Sequence, residues 1–334
     1  MRILVTDRNY QGEPELERAA AGDGVELVFF DAPGEVTEAA WRAADGVVTY
    51  RGTAQVTAAM GMLDRCRVVV RGGVGYDGLD LAELGRRGIA VCTVPDYGTT
   101  EVADHAIGLM LTLRRGIGVY HDRLREDVAA GWRWAGPPCI DRLRGRGFGV
   151  VGLGRIGLAA ARRAAAFDMR VRFFDPYLPD GADLATGYER VRSLEALFES
   201  SDAVTIHTPL TDETRGMVDA ALLRRLPEGA VLINTARGPM VDLDALHEGL
   251  RAGRPAGAAL DVLPAEPPRA PHPLLAAYMA REPWLDGRLI LTPHAAFYSP
   301  PGLEDLRRKA IGTAAAHLRD GRLRNCVNAH LLRR

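Results

Sequence analysis

The sequence predicts an α/β protein built of two doubly wound parallel-sheet domains. Short apolar runs alternate with helical stretches almost from end to end, the signature of strand–helix–strand units. The series of runs restarts once, near Gly147, and 334 residues is about twice the length of an ordinary domain. In the first series the strand candidates are 3–5, 25–30, 46–50, 67–71 and 90–94, separated by helical segments such as TEAAWRAA and DLAELGRRG, the latter stopped by Gly88. EVADHAIGLMLTLRRG (101–116) is apolar on most faces and reads as a long connecting helix. The amphipathic VYHDRLREDVAAGWRW after it reads as an excursion suited to a dimer interface. The second series places strands near 147–152, 171–175, 203–207, 230–235, 257–262 and 288–292. A last helix follows at 303–318, and the Pro-rich LPAEPPRAPHP (263–273) is expected to be a loop.

Composition excludes several classes of function. Forty-two basic against 43 acidic side chains leave a net charge of -1, so no gross attraction to nucleic acid or to an anionic membrane is expected. Lys309 is the one lysine beside 41 arginines, and it lies in a helical run with no Gly-rich loop before it. Schiff-base chemistry and a Gly-Lys-Ser/Thr phosphate loop are thereby excluded. No apolar run approaches 18 residues, and the N-terminus MRILVTDRNY lacks a signal-peptide core. Cys66, Cys92, Cys139 and Cys326 are widely spaced, without a CxxC pair, and no HExxH is present; reduced thiols, a cytoplasmic location and no metal site are expected.

GFGVVGLGRIGLAAARRAAAF sets Gly152, Gly154 and Gly157 directly after a strand and at the opening of an Ala-rich helix. In that context the first glycine permits a tight turn, the second lets a pyrophosphate approach the backbone, and the third allows the helix to pack closely on the strand. The helix N-terminus, with the amides of Arg155 and Ile156, offers free N–H groups and a favourable dipole to the phosphates. A second strand ends in Asp175, 23 residues beyond Gly152. A carboxylate there accepts hydrogen bonds from the adenosine ribose and repels a 2′-phosphate, favouring NAD(H) over NADP(H).

Three later strand ends carry polar groups: Arg237 in LINTARG, Glu266 in the loop after ALDV, and His294 in LILTPHAAF. Open α/β sheets bind their ligands at the carboxyl ends of strands. A guanidinium presents a fork to a carboxylate or carbonyl, an imidazole moves a proton near neutral pH, and an adjacent carboxylate orients and charges it. Singly, each has an ordinary reading as a surface arginine, a loop glutamate or a satisfied loop histidine. Their occurrence in order, each after a strand of one dinucleotide domain, favours reduction of a ketone by hydride transfer.

GLGRIG, Asp175, NTARG, ALDV with its trailing Glu266, and TPHAA together resemble the D-isomer-specific 2-hydroxyacid dehydrogenase family. VRGGVGYDGLDL and VPDYGTTEVADHAIGLML extend the resemblance into the first half. TPHAAFYS and the tail LRNCVNAHLL are similar to the C-terminal-binding-protein branch.

The resemblance implies that Arg237 binds the substrate carboxylate and carbonyl oxygen. It makes His294 the general acid/base, and Glu266 the partner that holds His294 and keeps it protonated. Glu rather than Gln at 266 implies a 2-oxo acid rather than formate. Backbone amides of Gly72, Gly73, Val74 and Gly75 are implied to grip the carboxylate, with Arg71, Tyr50, Arg51 and Phe297 bordering the pocket. On the cofactor side it adds Thr208 and Pro209 by the adenine, Thr235 and Ala236 at the nicotinamide ribose, and Asp261 at the carboxamide, with His207 and Thr214 as further cofactor-binding residues.

It further implies a flavodoxin-like substrate domain (1–98 and 300–334), and a Rossmann NAD-binding domain (99–299) with a dimerisation segment around 101–145. Hinge closure over a cleft, and a homodimer, are implied as well. Three features depart from the branch pattern: Phe297 in place of Trp, Val74 in place of a small polar residue, and a longer 267–287 loop, read as an extra wall or partner contact. The competing reading is an NAD(H)-responsive interaction protein; intact Arg237, Glu266 and His294 weigh against it.

Overall fold

The computed structural model describes residues 1–8, 10–268 and 272–332. The chain divides into two compact units, Met1–Gly98 with Tyr298–Arg334, and Thr99–Phe297.

The first unit is a five-stranded parallel sheet of β1 (Arg2–Val5), β2 (Glu26–Phe29), β3 (Gly46–Thr49), β4 (Val68–Arg71) and β5 (Ala90–Thr93), in the order β2-β1-β3-β4-β5. Val47, Val48, Val68, Val69 and Val70 are buried on both faces, which is why these strands read as continuous β-branched runs rather than alternating ones. One face packs on the helix Pro300–Asp320 through Leu306, Ala310, Ile311, Ala314 and Leu318, and the other on Trp41, Val56 and Leu84. That helix is longer than 303–318 because Ser299 caps it, its hydroxyl accepting the Gly302 N–H at 3.0 Å, with proline in the first turn. The chain then returns to the open edge of β5, where Cys326 forms an isolated antiparallel bridge with Cys92.

The second unit is a seven-stranded parallel sheet of β6 (Gly147–Val151), β7 (Arg170–Phe174), β8 (Glu189–Arg190), β9 (Ala203–Ile206), β10 (Val231–Asn234), β11 (Gly257–Leu260) and β12 (Leu289–Leu291). Its order is β12-β11-β10-β9-β6-β7-β8, a doubly wound arrangement whose direction of winding reverses between β6 and β9. Two-residue β8 at the edge has no counterpart in the expected strand series, being too short to leave a hydrophobic pattern. The helix Thr99–Arg115 buries Ala103, Ala106, Ile107, Met110 and Leu113 in this unit's core and stops at Gly116, whose φ of +65° ends it before a second helix, Ile117–Glu126.

The 267–287 segment is not simply a loop. It contains the helix Pro273–Met279 and a 3-10 turn, Pro283–Leu285, with Leu274 and Leu285 in the core. Proline occupies the first helical turn, and His272 Nδ1 accepts the Leu274 N–H at 3.1 Å, so the Pro-rich composition marks a helix start rather than continuous loop. Residues 269–271 of that segment lie outside the described residues. Among the described residues no helix is long and apolar enough to cross a membrane.

Candidate active site

Within the second unit, the polar residues singled out from the sequence collect at the carboxyl ends of β6, β7 and β9–β12. Gly152 follows β6 with φ +85°, and a Cβ there would lie 2.7 Å from Thr208 Cγ2 and 3.0 Å from the His207 carbonyl. A Cβ on Gly157 would lie 2.0 Å from the Gly152 carbonyl oxygen, so the turn and the helix Arg155–Ala166 touch backbone to backbone. Gly154 is exposed, and a Cβ there would meet nothing within 4 Å.

The residue preceding that helix supplies no side-chain cap, whereas the helices beginning at Leu194, Ala220 and Leu243 are capped by Ser193, Asp219 and Asp242. An uncapped N-terminus behind an open glycine presents N–H groups to an anion. Thr235, 8% exposed, holds a hydroxyl without a hydrogen-bond partner. An open cradle, uncapped amides and an orphaned hydroxyl at one sheet end fit the diphosphate and ribose of a dinucleotide.

Asp175 lies beside this cradle. Its Oδ2 accepts the Leu153 N–H and its Oδ1 the Tyr177 N–H, both at 3.0 Å, which holds the glycine loop against the β7 end. The Tyr177 hydroxyl donates to Glu213, bringing a second carboxylate to this region. His207 Nε2 is 2.9 Å from Thr205 Oγ1, and burial pushes its imidazole down to about 4. Thr208 Oγ1 donates to Met240 Sδ at 3.6 Å, and Thr214 Oγ1 donates to the Pro209 carbonyl at 2.8 Å, closing the 209–214 turn.

Arg237 follows β10 and donates from Nη1 to the Ala236 carbonyl at 2.7 Å. Asn234, fully buried and not anticipated from the sequence, shapes this loop. Its Oδ1 accepts the Ala236 N–H at 3.0 Å and its Nδ2 donates to the Arg237 carbonyl at 2.9 Å. A Cβ on Gly238 would lie 2.0 Å from the Leu263 carbonyl carbon, so the Arg237 loop presses directly on the loop that carries Glu266. The Leu263 N–H donates to Glu266 Oε1 at 2.9 Å.

Glu266 Oε2 meets His294 Nδ1 at 2.5 Å, with 36% and 39% of the two side chains exposed. Burial raises the Glu266 carboxyl, but the His294 hydrogen bond and charge, the Leu263 N–H and the Arg237 guanidinium together hold it below the usual carboxylate range. His294 has φ +53°, a left-handed conformation costing about 1–3 kcal/mol that persists only where its surroundings over-determine it. Asp261 supplies the constraint: its carbonyl accepts the His294 N–H at 2.8 Å. Its carboxylate accepts Thr292 Oγ1 at 2.6 Å and the N–H groups of Ala295 and Ala296 at 2.9 and 3.0 Å. His105 completes the network, with Nε2 3.1 Å from Thr292 Oγ1. The Phe297 ring stands edge-on to His294 at 6.2 Å.

The remaining candidates belong to the first unit. Gly72 and Gly73 follow β4; Gly73 has φ +144°, and a Cβ there would collide with Arg71 Nη1, which donates to the Gly72 carbonyl at 2.7 Å. Val74 is exposed and Gly75 half-buried. Tyr50 is 3% exposed and its ring packs under Gly72, so it supports the glycine loop from beneath, while Arg51 is exposed. Asp7, also missed from the sequence, accepts the N–H groups of Tyr50 and Arg51 and the hydroxyls of Thr6 and Thr49, fixing the end of β3.

A family model, D-isomer specific 2-hydroxyacid dehydrogenase, NAD binding domain, matches residues 107–296. The chain is 38% identical over 235 residues to a glyoxylate reductase of Korarchaeum cryptofilum, an alignment covering 70% of this chain and 67% of that protein. Among solved structures it resembles the NADPH-dependent glyoxylate/hydroxypyruvate reductase of Sinorhizobium meliloti in complex with NADP and malonate, with a TM-score of 0.83 and 32% identity over 100% of this chain and 98% of that one. It also resembles the D-lactate dehydrogenase of Aquifex aeolicus complexed with NAD and lactic acid, with a TM-score of 0.81 and 25% identity over 98% and 99% of the two chains.

Proposed function

The chain belongs to the D-isomer specific 2-hydroxyacid dehydrogenase family, and from that premise we propose that it interconverts a small 2-oxo acid and its D-2-hydroxy acid with NAD(H). The observation that carries the reading is the Glu266–His294 pair at 2.5 Å, set on the same sheet end as the uncapped, glycine-opened helix. An NAD-binding domain without chemistry needs no such pair.

Bound NADH supplies a hydride to the carbonyl carbon. The chain's residues do the rest. Arg237 holds the substrate carboxylate and opposes the negative charge that develops on the carbonyl oxygen. Because His294 Nδ1 is committed to Glu266, proton transfer to that oxygen falls to Nε2. Glu266 keeps the imidazole oriented through its bond to Nδ1. On the cofactor side, the amides of Arg155 and Ile156 beside Gly152, Gly154 and Gly157 take the diphosphate, and Thr235 and Ala236 take the nicotinamide ribose. Asp175, with Glu213 nearby, selects NAD over NADP. For the first unit we propose the substrate-binding role, with the Gly72–Gly75 amides, Arg71 and Arg51 as its own candidate groups.

A homodimer is part of the proposal. Ile117, Val128, Trp132 and Trp134 are 56%, 64%, 77% and 91% exposed on the excursion after Gly116, an apolar surface suited to a second copy. A cytoplasmic location is part of the proposal as well, supported by four cysteines that are free thiols. The finer placement near the C-terminal-binding-protein branch rests on TPHAAFYS and LRNCVNAHLL. NADH oxidation against a panel of 2-oxo acids tests the activity, with mass by light scattering recorded with and without NADH. Turnover that disappears in His294→Ala supports the enzyme. A chain that changes oligomeric state with NADH but turns over no 2-oxo acid supports the interaction protein instead.

A further inference from the structure

The C-terminal tail and β5 place two thiols opposite each other, although their cysteines stand far apart in the chain. The Thr93 N–H donates to the Asn325 carbonyl at 3.1 Å and the Val327 N–H to the Val91 carbonyl at 2.8 Å. These bonds flank Cys92 and Cys326, which form the antiparallel bridge between them. The two cysteines are therefore a directly opposed pair that exchanges no hydrogen bonds of its own, the closer of the two antiparallel arrangements, with Cα atoms about 4.5 Å apart. A disulfide spans Cα separations of about 4.4–6.8 Å, so no backbone rearrangement is needed to reach that range.

The tail is held in register from both sides. Asn325 takes a left-handed conformation (φ +49°) to enter the bridge. Asn328, fully buried, accepts the Val91 N–H on Oδ1 at 2.8 Å and donates from Nδ2 to the Ile89 carbonyl at 3.0 Å. Gly85 lies so close to Leu331 that a Cβ would come within 2.6 Å of the Leu331 Cβ. The pair is thus pre-positioned on a docked segment, not brought together by chance motion of a free tail. Burial, together with the neighbouring Cys326 thiol, pushes Cys92 up to about 12, as expected of a thiol in direct contact with another. Cys326 is the half-exposed member, and its Sγ donates to Asn328 Oδ1 at 3.3 Å.

We propose that Cys92 and Cys326 are a redox modification site: a hydroperoxide converts the opposed thiols into a cross-strand disulfide that staples the C-terminal tail to the edge of the first unit's sheet. The accessible Cys326 sulfur attacks the peroxide, the O–O bond breaks, and Cys326 becomes a sulfenic acid as one water leaves. The Cys92 sulfur then attacks Cys326 Sγ; the S–O bond breaks, the S–S bond forms, and the departing oxygen leaves as a second water with the Cys92 proton. Two thiols lose two electrons and two protons to one hydrogen peroxide. Cys66 and Cys139 are buried without a cysteine neighbour among the described residues and stand outside this chemistry. The site is independent of the dehydrogenase reading, since none of its residues belongs to the proposed catalytic or cofactor groups.

The test is hydrogen peroxide treatment of the full-length protein, followed by thiol counting, non-reducing peptide mapping and hydrogen exchange. The expected result is loss of two of the four titratable thiols, a Cys92–Cys326 linked peptide two hydrogens lighter than the reduced pair, and amide exchange in 321–332 slowed about tenfold. Dithiothreitol reverses all three. Cys326→Ser abolishes the linked peptide while Cys66→Ser preserves it. Oxidation that stops at a Cys326 sulfinate with Cys92 still titratable, links Cys326 between two chains, or leaves all four thiols intact overturns the proposal.

Discussion

The Nδ1 of His294 and the Oε2 of Glu266 stand 2.5 Å apart on loops that follow two neighbouring parallel strands. The contact fixes which ring nitrogen faces the carboxylate, and with it which is left for proton transfer. Glu266→Gln keeps the shape but removes the carboxylate that orients the imidazole. The expected outcome is a fall in kcat of about tenfold to a thousandfold with KM for the 2-oxo acid changed far less, because the lost interaction is made mainly with the reacting state. An unchanged kcat would remove Glu266 from the mechanism.

The glycines of the cofactor loop and of the Arg237 loop predict opposite phenotypes. Gly157→Ala sets a Cβ 2.0 Å from the Gly152 carbonyl, and Gly238→Ala one 2.0 Å from Leu263 backbone. Both force backbone to move, and each is expected to cost about 1–3 kcal/mol of stability. Gly154→Ala meets nothing within 4 Å, at φ -74°. It is expected to fold with an unchanged unfolding midpoint yet to weaken NADH binding at least about tenfold, because the methyl group enters the space proposed for the diphosphate. Calorimetric titration with NADH beside thermal melts reads the two effects apart. Normal NADH affinity in Gly154→Ala would place the diphosphate elsewhere.

Asp175 predicts the cofactor preference. Its carboxylate is anchored by the amides of Leu153 and Tyr177, with Tyr177 tied to Glu213. A 2′-phosphate entering here meets two acidic groups. Parent enzyme is expected to favour NADH over NADPH in kcat/KM. Asp175→Ser is expected to lower that ratio about tenfold or more, chiefly through a poorer KM for NADH. A parent that prefers NADPH would overturn the assignment.

The double winding of both sheets was legible in the sequence because buried parallel strands leave continuous apolar runs, and Gly152, Asp175, Arg237, Glu266 and His294 were legible because each follows such a run. Other features left weaker signals. β8 is two residues long, too short for a pattern. The helix Pro273–Met279 was hidden by prolines that in fact start it. Asn234 and Asp7 serve the site by bonding backbone N–H groups at loop ends, a role that depends on three-dimensional register and gives no spacing motif. The pairing of Cys92 with Cys326 is likewise a product of topology: no local pattern links an edge strand to a tail on the far side of a whole domain.

His207 predicts a pH dependence of stability. Burial brings its imidazole down to about 4 from an ordinary value near 6.5. Between those values the unfolded chain binds a proton that the folded chain refuses, so stability rises with pH across that window, is lost on acidification, and is flat above it. His317 is lowered as well, first by burial and then by Arg67, and adds to the same slope. The Glu266 contribution is lost only as pH falls below about 4.5, its ordinary value, so work at pH 5 and above leaves it constant. Urea unfolding of the parent and of His207→Gln at pH 5, 6 and 7.5 separates the two histidines, because His317 is common to both proteins. The parent is expected to lose about 2 kcal/mol more than the variant between pH 7.5 and pH 5. Parallel losses in the two proteins would show that the folded state protonates His207 as readily as the unfolded one.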